Sequence, residues 1–144
     1  MVALILALLE DSEHATKVRA GLQGAGYHLV VVDTFAEAMK SLKTDSFDLI
    51  ISDVHLENGG NVFDFLKWTK NQKQSQLIPF VLFSLEPTQL AKYLADGVQT
   101  TGRVFGAAKY ITMEVFDAAA FADAIAELLP RTQDAAKVLS TEGE

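Results

Sequence analysis

The chain has 144 residues, of which 49% are hydrophobic, and it contains no cysteine. A chain of this size and hydrophobicity is expected to fold as one globular domain. The formal net charge of -7, with no dense Lys/Arg cluster, argues against direct binding to nucleic acid. Without cysteine the chain forms neither disulfides nor thiolate zinc sites, so we expect a cytoplasmic protein.

The first predicted element is a buried strand over residues 3–9, a continuous apolar run that ends at Glu10 and Asp11. This run lacks a basic start and a cleavage site, and it is too short to cross a bilayer, so we expect neither a signal peptide nor a membrane segment. Asp11 or Ser12 can cap the helix that follows, and Gly26 is placed to stop it.

The alternation of strand and helix continues along the chain. A β-branched second strand precedes Thr34 and Glu37, which are spaced as a capping box for the second helix. The third strand ends at Ser52 and Asp53 and is followed by a turn-rich stretch. Further strands are predicted over residues 78–83 and 108–112, helices around residues 62–69, 90–98 and 118–128, and a glycine-punctuated segment before strand five.

Five strand and helix units predict an α/β fold with one doubly wound, five-stranded parallel sheet and helices on both faces. The expected strand order is 2-1-3-4-5, as in open sheets with a topological switch point. We assign residues 1–130 to this domain and residues 131–144 to a C-terminal tail or the stump of a linker.

Acidic side chains follow two strands of this sheet. If strands one and three are neighbours, Glu10, Asp11 and Asp53 meet at the carboxyl edge of the sheet, where ligands collect. Three carboxylates in contact repel one another and require a cation. Because oxygen ligands with room for water suit magnesium, we expect Mg²⁺ at this edge.

At these residues the chain resembles the receiver domain of response regulators, the CheY-like superfamily with a flavodoxin-like fold. The resemblance covers roughly residues 4–129 and includes Ser84 at the end of strand four and Gly106 before strand five. It implies that Asp53 accepts a phosphoryl group and that Glu10 and Asp11 hold magnesium. The resemblance further implies that the backbone carbonyl of His55 is a metal ligand, that Ser84 contacts the phosphoryl group, and that Tyr110 is a switch residue.

The sequence departs from this family at the end of strand five. Family members carry a lysine three residues after the aromatic position, where this chain has Met113 followed by Glu114. Lys109 does not substitute for it, because four strand residues span about 13 Å. The interval from Ser84 to Met113 is also longer than usual, with Arg103 in a glycine-flanked insert that we interpret as a loop. We therefore expect phosphoryl transfer to survive and conformational signalling to be weakened or rerouted.

The leading hypothesis is a phospho-acceptor module of two-component signalling, without enzymatic turnover of a separate substrate. The resemblance implies a histidine kinase or phosphotransfer protein as donor and a downstream protein partner on the face formed by helix four, strand five and helix five. The alternative is a receiver-like interaction domain that does not use phosphate. An enzyme of the haloacid-dehalogenase kind is disfavoured, because it expects an aspartate where this chain has His55. The sequence leaves open whether the chain stands alone or belongs to a longer protein, and whether it forms a homodimer.

Overall fold

The computed structural model describes residues 2–54 and 61–129. Five parallel strands form one sheet in the order β2-β1-β3-β4-β5, as predicted. The strands alternate with five helices along the described part of the chain. The elements are β1 (Leu4–Leu8), α1 (Ser12–Gly24), β2 (His28–Val32), α2 (Phe35–Thr44), β3 (Leu49–Asp53), α3 (Val62–Lys70), β4 (Phe80–Leu85), α4 (Gln89–Val104), β5 (Lys109–Met113) and α5 (Ala118–Ala126).

The sheet is covered on both faces, which explains why its central strands are continuously apolar. On one face α1 and α5 contribute apolar side chains, among them Val18 and Phe121. On the other face α2 and α3 pack their own apolar stripes, which include Leu42 and Leu66. Every residue of β3 and β4 is buried. The central strands are therefore held from both sides, and their carboxyl ends are fixed relative to one another.

Local capping signals begin the first two helices where the sequence predicts. Asp11 is the N-cap of α1 and accepts hydrogen bonds from the next turn of backbone. Thr34 caps α2 by accepting a hydrogen bond from the Glu37 N–H at 3.1 Å. Gly26 has a φ of 96°, a left-handed conformation that turns the chain after α1 and that glycine adopts without strain.

Two element boundaries differ from the sequence prediction. Strand β4 begins at Phe80, two residues later than expected, because Pro79 has no N–H to donate to the sheet. The interpretation of Arg103 as a loop residue is wrong. Helix α4 continues through Gly97 and Gly102 to Val104, and Arg103 lies in its last turn.

Gly102 is explained by close packing rather than by a turn. A Cβ atom at this position would overlap the Cδ1 atom of Leu82, a fully buried residue of β4. The absence of a side chain at Gly102 thus lets the end of α4 lie directly against the sheet. Gly97, one and a half turns earlier, faces open space, and a Cβ atom there would meet no other atom within 4 Å among the described residues.

We expect Gly102→Ala to lower the free energy of unfolding by about 1 to 3 kcal/mol, because the added methyl overpacks the interface with Leu82. Gly97→Ala on the same helix is the matched control and should raise stability by about 0.5 to 1 kcal/mol through helix propensity. Urea unfolding of both variants measures the difference. Equal effects of the two substitutions would contradict this explanation of Gly102.

The predicted boundary between the domain and the tail, at residues 130 and 131, lies outside the described residues and stays a prediction. The turn predicted at residues 57–60 also lies outside them. Among the helices of the described part, none is long and apolar enough to cross a membrane.

Candidate functional site

The strand register brings the ends of β1, β3 and β4 to one edge of the sheet. Asp53, the last residue of β3, pairs with Phe83 of β4. Ser84 therefore lies one residue beyond the level of Asp53, in the direction of the carboxyl ends of the strands. Strand β1 ends at Leu8, which is level with the residue before Asp53. Glu10 therefore also lies one residue beyond the level of Asp53. Parallel pairing alone therefore gathers residues that are far apart in sequence.

A cleft of about 480 Å³ opens at this edge. Its walls come from the ends of β1, β3 and β4, the first turn of α1 and the start of the connection to α4. The polar and charged residues that line it include Glu10, Asp11, His14, Asp53, Ser84 and Glu86. The structure thus places the predicted acidic residues and Ser84 together in one cavity.

Asp53 is a buried carboxylate, with 9% of its surface exposed. Burial raises its pKa from 3.8 to about 6, and the negative charges of Glu10 and Asp11 add to the rise. The Glu10 N–H, which donates to Asp53 Oδ2 at 3.0 Å, and the nearby His14 act in the opposite direction. Asp53 is therefore an acid held where its ionised form is unfavourable, which is typical of functional sites.

Asp11 has a different environment at the mouth of the cleft. Its Oδ1 atom accepts hydrogen bonds from the Glu13 and His14 N–H groups at 2.8 and 3.2 Å. These hydrogen bonds at the helix N-terminus lower the pKa of the Asp11 carboxyl. Asp11 therefore stays ionised beside Asp53 and caps α1 at the same time.

The carboxylates at this edge suit magnesium better than they suit a metal ion that requires many protein ligands. In residues 2–54 and 61–129, no group of three or more His, Cys, Asp or Glu side chains is arranged to hold a metal ion. Mg²⁺ commonly keeps several waters and binds through one or two carboxylates. The Asp53 and Asp11 carboxylates can supply these, and a divalent cation would offset both the burial of the Asp53 charge and the smaller repulsion from Glu10 and Asp11.

In the pairing of β4 with β5, Ser84 is level with Thr112, and Tyr110 lies two residues earlier, level with Leu82. Ser84 is buried, with 6% of its surface exposed, and Tyr110 of β5 is half-buried. Burial raises the pKa of the Tyr110 hydroxyl, and hydrogen bonding with the Ser84 and Thr112 side chains acts against that rise. The Tyr110 hydroxyl thus lies near the side chains of both Ser84 and Thr112.

The carboxyl end of β5 presents an apolar and an acidic side chain in place of a cation. Met113 is half-buried and packs against the core on the side of α1 and α5. The next residue, Glu114, binds Lys92 of α4 at 3.1 Å. Lys109, at the opposite end of β5, binds Glu127 at 2.6 Å.

Sequence reasoning missed three polar residues near the cleft. Glu86, just after β4, contacts Lys17 Nζ at 3.0 Å and His14 Nε2 at 3.4 Å. The spacing of Asp11 and His14 on the first turn of α1 is visible in the sequence, and it places both at the same helix end. The approach of Glu86 to α1 depends on the loop conformation, for which the sequence gives no signal. The remaining predicted site residue, His55, lies outside the described residues.

We expect Asp53→Asn to stabilise the metal-free protein at pH 8 by about 2 kcal/mol. The raised pKa of Asp53 means that the folded protein binds this proton more tightly than the unfolded chain does. The protonated Asp53 therefore stabilises the wild type at low pH, and this contribution is lost as pH rises through about 6. The difference in unfolding free energy between wild type and Asp53→Asn should vanish toward pH 4.

Urea unfolding in the presence of a chelator, at several pH values between 4 and 8, measures this difference. Asp11→Asn is the control, because the pKa of Asp11 is lowered and its neutralisation should not stabilise the protein at any pH. An Asp53→Asn variant that is no more stable than wild type at pH 8 would show that the buried charge is not destabilising.

Sequence comparison finds no matching family and no similar curated protein. Structural comparison finds the chemotaxis response regulator CheY4 of Vibrio cholerae, with a TM-score of 0.74 and 24% identity over 90% of this chain and 100% of that chain. The signal receiver domain of a histidine kinase from Syntrophus aciditrophicus gives a TM-score of 0.72 and 23% identity, covering 89% and 90% of the two chains.

A third similar structure is the receiver domain of a sensor histidine kinase from Pseudomonas aeruginosa, with a TM-score of 0.71 and 16% identity over 89% of this chain and 98% of that chain. That domain has a magnesium ion coordinated in its active-site cleft. The strand order, the five helices and these similarities agree, and the chain therefore has the CheY-like fold of response-regulator receiver domains.

Proposed function

We propose that the chain is a receiver domain, spanning residues 1–130, that accepts a phosphoryl group on Asp53 in a magnesium-dependent step. The observation that carries this proposal is the position of Asp53. Its buried carboxylate lies in a cleft shared with Glu10, Asp11 and Ser84, at the carboxyl edge of a parallel sheet. Receiver-like structures with the same fold support it, and one of them holds magnesium in its cleft.

The proposed reaction is the attack of an Asp53 carboxylate oxygen on the phosphorus of a phosphorylated donor. A new O–P bond forms, the bond from phosphorus to the donor breaks, and the donor leaves with that electron pair. The Glu10 N–H holds Asp53 Oδ2 at 3.0 Å, which leaves Oδ1 to act as nucleophile. The product is an aspartyl phosphate.

Magnesium would neutralise charge on the phosphoryl oxygens when bound. Its proposed protein ligands are the carboxylates of Asp53 and Asp11 and the backbone carbonyl of His55, with Glu10 at the same edge of the cleft. The Ser84 hydroxyl would donate a hydrogen bond to the phosphoryl group, and Tyr110, whose hydroxyl lies near Ser84, is the proposed switch residue.

The proposed partners are a histidine kinase or phosphotransfer protein as donor and a downstream protein on the face formed by α4, β5 and α5. Exposed apolar side chains on α4 support a protein contact there, since Leu90 and Tyr93 are 66% and 85% exposed. Such a module works in the cytoplasm and carries out self-catalysed phosphotransfer and dephosphorylation only.

We expect wild-type protein incubated with Mg²⁺ and acetyl phosphate to gain the mass of one phosphoryl group, measured by intact-mass spectrometry. Asp53→Asn should not gain it, because the amide is not a nucleophile, and a chelator should prevent the gain in wild type. Asp33→Asn is the matched control: this residue directly follows β2 but does not line the cleft, so its labelling should be unchanged.

An unlabelled wild-type protein would contradict the proposal. It would favour the alternative of an interaction domain that does not use phosphate, for which the apolar Met113 at the end of β5 is the relevant feature. Continuous turnover of a small phosphate ester, in place of a single modification, would indicate a hydrolase of the haloacid-dehalogenase kind.

A further inference from the structure

Glu86 has an unusual backbone conformation. Its φ is 53°, the one positive φ of a non-glycine residue in the described part of the chain. A glutamate in this left-handed region is strained, and such strain persists where other contacts enforce it. One of these contacts is the hydrogen bond from the Glu86 N–H to the Met113 carbonyl oxygen at 2.7 Å. Glu86 is thereby held over the end of β5.

The side chain of Glu86 reaches from this position to α1. Its Oε2 atom lies 3.0 Å from Lys17 Nζ, and its Oε1 atom lies 3.4 Å from His14 Nε2. Glu86 and His14 both line the cleft that contains Asp53 and Ser84. The contacts therefore form a bridge between the connection that follows β4 and the first two turns of α1, along the wall of the cleft.

The described residues that line the cleft carry no permanent positive charge. No lysine or arginine is among the described residues that line it, whereas four carboxylates are: Glu10, Asp11, Asp53 and Glu86. A phosphoryl group would add close to two further negative charges. A cation near enough to enter the cleft is therefore needed in addition to a metal ion.

Lys17 is the lysine best placed to supply this charge. It already contacts a residue of the cleft wall through Glu86. Lys92 of α4 and Lys109, at the opposite end of β5, bind Glu114 and Glu127, and neither glutamate is among the described residues that line the cleft.

The ion pair between Lys17 and Glu86 is weak enough for another anion to replace Glu86. The two side chains are 44% and 46% exposed. Ion pairs this exposed contribute little to stability because water and salt screen them. A doubly charged phosphoryl group in the same cleft would attract the ammonium group more strongly than one carboxylate does, and it would repel Glu86.

We propose that Lys17 is the phosphoryl-binding cation of this cleft, supplied by α1 in place of a lysine at the end of β5. Glu86 is its competing anion: it holds Lys17 beside the cleft until a phosphoryl group on Asp53 replaces it. The release of the Glu86 side chain from Lys17 removes one of the contacts that hold the strained connection between β4 and α4, which links the chemical step to the start of α4. This inference rests on the proposed phosphoryl acceptance by Asp53.

The test compares the initial rate of labelling by acetyl phosphate and Mg²⁺ among variants of the full chain. Lys17→Met should slow labelling by about tenfold, because a charge-assisted contact to the phosphoryl group is lost. Glu86→Gln should quicken it by roughly threefold, because the competitor loses its charge. Lys17→Arg should keep a rate near that of wild type, since the cation is retained.

The opposite signs separate this role from a structural one. If the ion pair only held the fold, Lys17→Met and Glu86→Gln would break the same contact and change the rate in the same direction. Lys109→Met and Glu127→Gln form the matched control, because they break an exposed ion pair of the same type away from the cleft. Neither control should change the rate.

The inference would be overturned if Lys17→Met and Glu86→Gln changed the labelling rate in the same direction, or if Lys17→Met left the rate unchanged. Labelling of the wild type would still support the proposed function in either case. Absence of labelling in wild type would overturn both. Urea unfolding of each variant verifies that the compared proteins are folded, and the Lys17→Arg variant tests the requirement for charge independently of any loss of stability.

Discussion

The site depends on a carboxylate that is buried beside other carboxylates. Folding places Asp53 at the end of a fully buried strand, where water stabilises its charge less well than in the unfolded chain, and in one cleft with Glu10 and Asp11. This arrangement is unfavourable for the isolated protein. It becomes favourable when a cation neutralises the cleft, so the fold itself creates the demand for a ligand.

The sheet maintains this arrangement because each neighbouring strand is fixed by its partners. Strands β1 and β3 pair in register, and helices cover both faces, so the ends of the strands cannot move apart without disrupting the core. The N-terminus of α1 adds a fixed electrostatic contribution through the Asp11 cap. The packing of the core therefore also fixes the positions of the site residues at the carboxyl ends of the strands.

Much of this could be predicted from the sequence, because short-range patterns determine it. Apolar runs identified the strands, the capping box at Thr34 located α2, and the acidic strand ends identified the cleft. The extent of α4 could not be predicted in this way. Glycines at positions 97 and 102 are typical of a break in a helix, whereas Gly102 is required by the close approach of Leu82, a contact between distant parts of the chain.

The interactions of Glu86 could not be predicted either. Its positive φ accompanies a hydrogen bond to Met113, a residue distant in sequence, and only the folded loop brings its carboxylate to Lys17 and His14. The missing lysine at the end of β5 was evident from the sequence, but the nearby ion pair from α1 was not. The charge balance of a site is thus harder to predict than its acidic ligands, since lysine and glutamate side chains reach it from several elements.

Binding of a divalent cation in the cleft formed by Glu10, Asp11 and Asp53 is the property on which the proposed chemistry depends. Titration of isotopically labelled protein with MgCl₂, followed by NMR of the backbone amides, tests it most directly. Saturable shifts confined to the ends of β1 and β3 and the start of α1, and lost in Asp53→Asn, are the predicted result. Unchanged amide signals at this edge, or shifts that Asp53→Asn retains in full, would contradict it.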